Sequence, residues 1–144
     1  MKKIITCLVA LSGALVQAES APFSDVIGKW SDKVDISVSH NPKSTNDAAW
    51  AGQAFAEIDG NGQFTLLTRN GCKMIGNLTP YLSSYKVNFT VSDCQEVQLN
   101  GLYPGYVSFM ANKLLVHSVV PVPKVDGNDP SFKTRYFHGE LSRL

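Results

Sequence analysis

A period of two dominates this chain. Val34-Asp35-Ile36-Ser37-Val38-Ser39 alternates apolar and polar residues, and Tyr85-Lys86-Val87-Asn88-Phe89-Thr90-Val91 repeats the pattern with larger side chains. Successive side chains of a strand point to opposite faces, so each run predicts a strand with one buried and one wetted face. Phe64, Leu66 and Thr68 outline another such face. Further strands are predicted at 94–99, 106–110, 114–120 and 134–141, most of them rich in β-branched and aromatic residues.

Turn signals separate these runs at short intervals. Asp59-Gly60-Asn61-Gly62 stands between Ala54–Ile58 and Phe64–Thr68 and supplies residues tolerant of positive φ. Asn70-Gly71, Ser92-Asp93, Asn100-Gly101, Pro104-Gly105 and Ala111-Asn112 punctuate the rest, with Tyr103 and Tyr106 read as flanking a hairpin end. Pro121, Pro123 and the run from Asp126 to Pro130 form one longer loop. Helix is scarce. Ser20–Val26 reads as a turn leading in. Asn46–Glu57 is the ambiguous stretch, because its alanines favour helix while Gly52 and the turn after Ile58 favour a strand. The strand is the expectation adopted.

About eight or nine short strands with tight connections and no repeat period predict an all-β domain. The up-and-down order favours a small antiparallel β-barrel of about eight strands. Such a barrel is either filled by its own side chains or holds one small ligand.

The ends of the chain and its cysteines add a compartment. Met1-Lys2-Lys3 is a basic start, Ile4–Val16 is an apolar core, and Val16-Gln17-Ala18 offers the small residues a signal peptidase reads. Residues 1–18 are therefore expected to be a signal peptide and 19–144 a single barrel domain. Cys7 leaves with the signal; it sits too early in the apolar core to be a lipid-attachment site. Cys72 and Cys94 remain as an even pair in a chain bound for an oxidising compartment, and a disulfide between them is predicted as a staple across the barrel. In the simplest loop-entropy picture it contributes roughly 3 kcal/mol. The compact signal looks bacterial, so the expected location is periplasmic or secreted.

Charge narrows the partners. Without Lys2 and Lys3 the chain carries 11 Lys and Arg against 12 Asp and Glu, a formal charge of −1 in place of +1. That balance, with signs interspersed, argues against nucleic acid or an anionic membrane as the partner. No apolar run after the signal approaches the length of a transmembrane segment.

Gly28-Lys29-Trp30, followed by Ser31-Asp32, resembles the opening of lipocalins and avidin-like proteins, the calycin barrels, over three to five residues. The resemblance implies a lipocalin-like barrel whose base Trp30 closes, and Arg135 is the late basic residue expected to pack on that ring. It implies no particular ligand, since Trp50 is the only other tryptophan.

Catalytic signatures are absent. No Gly-x-Ser-x-Gly elbow occurs, and Ser39-His40 and His117-Ser118 are strand neighbours that face opposite ways. His117 and His138 lie on strands that meet if the final strands are adjacent, and with Glu140 they would form a zinc set. Satisfied or solvent-facing histidines are the plainer expectation, so no metal and no cofactor are assigned. The Asp59–Gly62 and Asp126–Asp129 runs lack the glutamate that would complete a calcium loop and read as turns.

The expected function is non-enzymatic binding. One form is a carrier holding a small apolar or amphipathic ligand in a cavity of a few hundred Å³. The alternative is a protein-binding module, such as an inhibitor, an immunity protein or an envelope accessory protein. Candidate binding residues are Trp30, Trp50, Tyr85, Phe89, Tyr103, Tyr106 and Tyr136. A hydrolase with an unfamiliar site is the reading that the residues support least.

Overall fold

The computed structural model describes residues 22–39, 48–118 and 134–144. The signal-peptide stretch, Cys7, His40 and the loop containing 126–130 lie outside the described residues. The alternating runs form nine strands: β1 (Gly28–Ser39), β2 (Ala48–Ile58), β3 (Gln63–Thr68), β4 (Lys73–Asn77), β5 (Thr79–Tyr81), β6 (Ser84–Ser92), β7 (Gly101–Met110), β8 (Lys113–Ser118) and β9 (Thr134–Arg143). The ambiguous alanine-rich stretch is a strand, β2, paired with β1 from Gly28 opposite Ile58 to Val38 opposite Ala48.

The strands run up and down in the order β4-β3-β2-β1-β9-β8-β7-β6-β5, and a β4–β6 pairing closes the sheet on itself. The result is a closed antiparallel barrel of eight strands, with short β5 attached to one end of β6. Among the described residues no helix is long and apolar enough to cross a membrane.

The alternation sorts the side chains as expected. Val34, Ile36 and Val38 of β1, Val87, Phe89 and Val91 of β6, and Leu114 and Val116 of β8 point inward and are buried. Phe64 and Phe89 meet edge-on at 5.1 Å, and Phe137 lies 6.4 Å beyond Phe89. With Trp30 and Tyr103 these rings fill the interior, each of the five exposing 1% or less of its surface.

Two turns follow the sequence closely. Asp59 accepts the Gly62 amide at its carbonyl (3.0 Å) and the Asn61 amide at Oδ1 (2.9 Å), with Gly62 at φ 77°. Ala111 and Asn112 adopt φ of 52° and 64°, forming the two-residue hairpin between β7 and β8.

Two expectations about strands and turns are corrected. Pro104-Gly105 is not a hairpin end but the middle of the continuous strand β7. Glycine is needed there because a Cβ would run into the His117 carbonyl of β8. Pro104 lies on the exposed outer face, opposite Asn88. The run 94–99 is not a strand either. The Asn100 side chain accepts the Cys94 amide at 3.1 Å, and the chain winds into a single 3-10 turn, Val97–Leu99, that buries Leu99.

Cys72 and Cys94 are bonded. Lys73 pairs with Ser92, so the bond joins the ends of neighbouring strands β4 and β6 rather than spanning the barrel. Cys94 follows a strand and does not open one. Around it, Asn70 Nδ2 donates to Glu96 (2.8 Å) and the Gln95 amide donates to the Asn70 carbonyl (3.0 Å), fastening the β3–β4 turn to the β6–β7 loop.

Candidate binding surface on the barrel wall

The sequence-predicted site residues divide between the inside and the outside. Trp30, Phe89 and Tyr103 face inward and are buried. Trp30 closes the base of the barrel, donating from Nε1 to the Val26 carbonyl at 2.9 Å. The basic residue packed on it is Arg143, not Arg135: its guanidinium carbon sits 4.1 Å from the indole centroid and also reaches Phe109 at 6.0 Å. Arg143 then donates to the Ile27 carbonyl (2.7 Å) and the Asp25 carbonyl (3.0 Å). Register explains the exchange, since Trp30 pairs with Arg143 while Arg135 pairs with Val38 at the far end.

Tyr103 donates to the Leu99 carbonyl at 2.6 Å, and burial pushes its hydroxyl pKa far up. Tyr85 sits at the rim of the Trp30 end. Its hydroxyl donates to Asp25 at 2.5 Å, and burial and then that carboxylate push its pKa up to about 12. Trp50 is half-buried at the opposite rim and lies along Gly52, where a Cβ would meet its ring at 2.6 Å. These five side chains build the barrel and its rims.

Tyr106 and Tyr136 are different: they stand on the outer wall. Pairing in register brings Lys86, Tyr106, His117, His138, Asp35 and Ala51 into one row across six adjacent strands, from β6 through β7, β8, β9 and β1 to β2. Each lies on the side of its strand opposite the buried residues. Tyr81 meets Tyr106 at 5.8 Å, Tyr106 meets His117 at 5.9 Å, and Tyr136 stacks on His138 at 6.5 Å. Lys86 lies over the Tyr81 ring at 5.6 Å.

His117 and His138 are thus brought together, as adjacent final strands require. Burial, and secondarily His138, hold the His117 pKa below the ordinary range, and His117 Nδ1 is buried without a hydrogen-bond partner. His138 Nε2 lies 3.8 Å from Glu140. Among the described residues no group of three or more His, Cys, Asp or Glu is placed to hold a metal ion. Ser118 turns into the barrel and accepts the Phe137 amide at 2.7 Å, so it forms no relay with His117.

Beside Tyr136 the wall dips into a trough of about 360 Å³ lined by Asp35, Ser37, Ala49 and Ala51. A second depression of about 400 Å³ lies on the outside of β2 and β3, around Phe55, Leu67 and Leu144. It is slightly larger but lacks the ring array.

The row was hidden from the sequence because it depends on register across residues 119–133, which join β8 to β9. The visible signal was that His117 and His138 each fall on the outward parity of their strands, as do Tyr106 and Tyr136. The fold and wall define a closed, disulfide-linked barrel with a packed interior and an aromatic–imidazole surface. Comparison with protein-family models, with curated proteins and with solved structures finds no match for this chain.

Proposed function

We propose that this chain is a non-enzymatic binding domain, exported to the periplasm or beyond the cell, that engages a protein partner with the outside of its barrel. The observation that carries this reading is the row positions Tyr106, His117 and His138, flanked by the Tyr81 and Tyr136 rings, on a wall whose inward residues are already packed. Tyrosines that are partly exposed, rigidly held and adjacent are the side chains that protein interfaces favour, because they bury much area and lose little rotamer freedom.

The filled interior favours this form of binding over an enclosed small ligand. Trp30, Phe64, Phe89, Tyr103 and Phe137 occupy the space a carrier would keep open. Export is supported by the basic, apolar and small-residue order of the first 18 residues and by the Cys72–Cys94 bond. The likeness to lipocalins and avidin-like barrels belongs to the same proposal, supported by Gly28-x-Trp30 and by Arg143 on the Trp30 ring.

The test is a quantitative pull-down from the producing organism with the wild-type chain and a Tyr106→Ala/Tyr136→Ala variant of equal thermal stability. A partner held by the wild type and lost by the variant supports the reading. Equal recovery by both, or no partner at all, overturns it. Native mass spectrometry of the same sample decides against it in favour of a carrier if a retained small molecule is found.

A further inference from the structure

β2 is paired with β1 along its whole length, but with β3 only from Ala54 to Ile58. β3 ends at Thr68, where the chain turns through Asn70 and Gly71. Among the described residues no strand lies along the remaining outer edge of β2, Ala48–Gln53. In a barrel that otherwise closes on itself, this is a short run of strand backbone with no strand partner among the described residues. Natural edges are usually guarded by lysine, proline or a bulge. This one reads Ala-Ala-Trp-Ala-Gly-Gln and pairs with β1 in unbroken register. Its outward side chains Ala49 and Ala51 form the floor of the trough beside Tyr136, and Asp35 stands directly opposite Ala51.

We infer that the Ala48–Gln53 edge accepts an extended segment of a partner polypeptide as an added strand, with a basic side chain of that segment reaching Asp35 across the alanine floor. This rests on the reading of the chain as a protein-binding domain and specifies how the partner is held. Alternating N–H and C=O groups at strand spacing are matched by another extended backbone and not by a sugar or an acyl chain. Alanine side chains let long partner side chains lie flat over β2. Asp35 is the one carboxylate among the residues lining the trough, which sets the complementary charge. A second copy of the chain fits less well, because two edges this short bury far less than the roughly 1,200 Å² of a stable interface.

The experiment selects displayed random heptapeptides on the oxidised, folded protein. Enriched peptides are expected to carry Lys or Arg at one outward position and to slow amide exchange at Ala48–Gln53. Asp35→Lys is expected to weaken those peptides about tenfold and to select acidic ones instead. Leu67→Ser, on the other depression, leaves their affinity unchanged. The inference is overturned if no peptide is enriched, if protection maps elsewhere, if Asp35→Lys has no effect, or if the protein alone sediments as a dimer with this edge protected. A natural partner held by the tyrosine row together with a failed selection sinks only the edge. Peptide binding without any natural partner sinks the wider reading instead.

Discussion

At one end of the barrel the chain turns back through short hairpins, Asp59–Gly62 and Ala111-Asn112, and the opening is filled by packing. Val26 and Trp30 are fully buried there, Arg143 lies over the indole, and Phe23 packs on Tyr85 at 5.4 Å. At the other end the chain leaves β6 at Ser92 and re-enters the sheet only at Gly101. That excursion is held by the Cys72–Cys94 bond and by Leu99, whose carbonyl takes the Tyr103 hydroxyl. The difference follows from loop closure. Tight turns bring strand ends together at little entropic cost, so side-chain packing suffices to seal them. A longer excursion costs more to order, and a covalent link removes part of that cost from the unfolded chain.

The sharpest way to break the comparison is to remove the packed plug. Trp30→Ala deletes a fully buried indole, its bond to Val26 and the platform under Arg143, and is expected to cost about 3–5 kcal/mol, read from urea denaturation. Replacing both cysteines by alanine is expected to cost about 3 kcal/mol and to speed amide exchange between Asp93 and Asn100. If the cysteine variant loses more than Trp30→Ala, or if its added exchange spreads to the Trp30 end, the two ends are not independent seals.

The same contrast explains what could be read from the amino-acid order. Strand period, turn residues and the cysteine pair are local signals, and they led to a barrel of about eight strands with one disulfide. Pro104-Gly105 misled because proline and glycine usually mark turns, whereas here the glycine answers to the His117 carbonyl of a neighbouring strand. Arg143 was missed in favour of Arg135 because the choice depends on register between β1 and β9. The stretch after Cys94 has a strand's composition, but the Asn100 side chain captures the Cys94 amide and diverts the chain. The aromatic wall is only half legible in the sequence. Tyr106 and Tyr136 are candidates from the sequence alone, while their joining through His117 and His138 is a long-range consequence of closure.

Alkaline titration probes both ends at once, with the smallest expected effect. Tyr85 at the packed end and Tyr103 near the disulfide both have raised pKa values, chiefly because burial disfavours the phenolate. A group whose folded pKa lies above its unfolded value stabilises the fold fully below the unfolded pKa and loses that contribution as pH climbs through the folded one. For Tyr85 the window runs from its ordinary value of 10.0 to about 12. Unfolding free energy is therefore expected to fall across that window. Tyr85→Phe removes the group that must ionise next to Asp25, so its stability should decline less steeply, while Tyr103 still contributes the slope of the other end. Since Tyr85 is partly exposed, the change in slope is modest, and urea midpoints at the two limits of the window measure it. If Tyr85→Phe declines as steeply as the wild type, the packed end does not respond to alkali through this hydroxyl, and Tyr103 beside the 3-10 turn becomes the group to replace next.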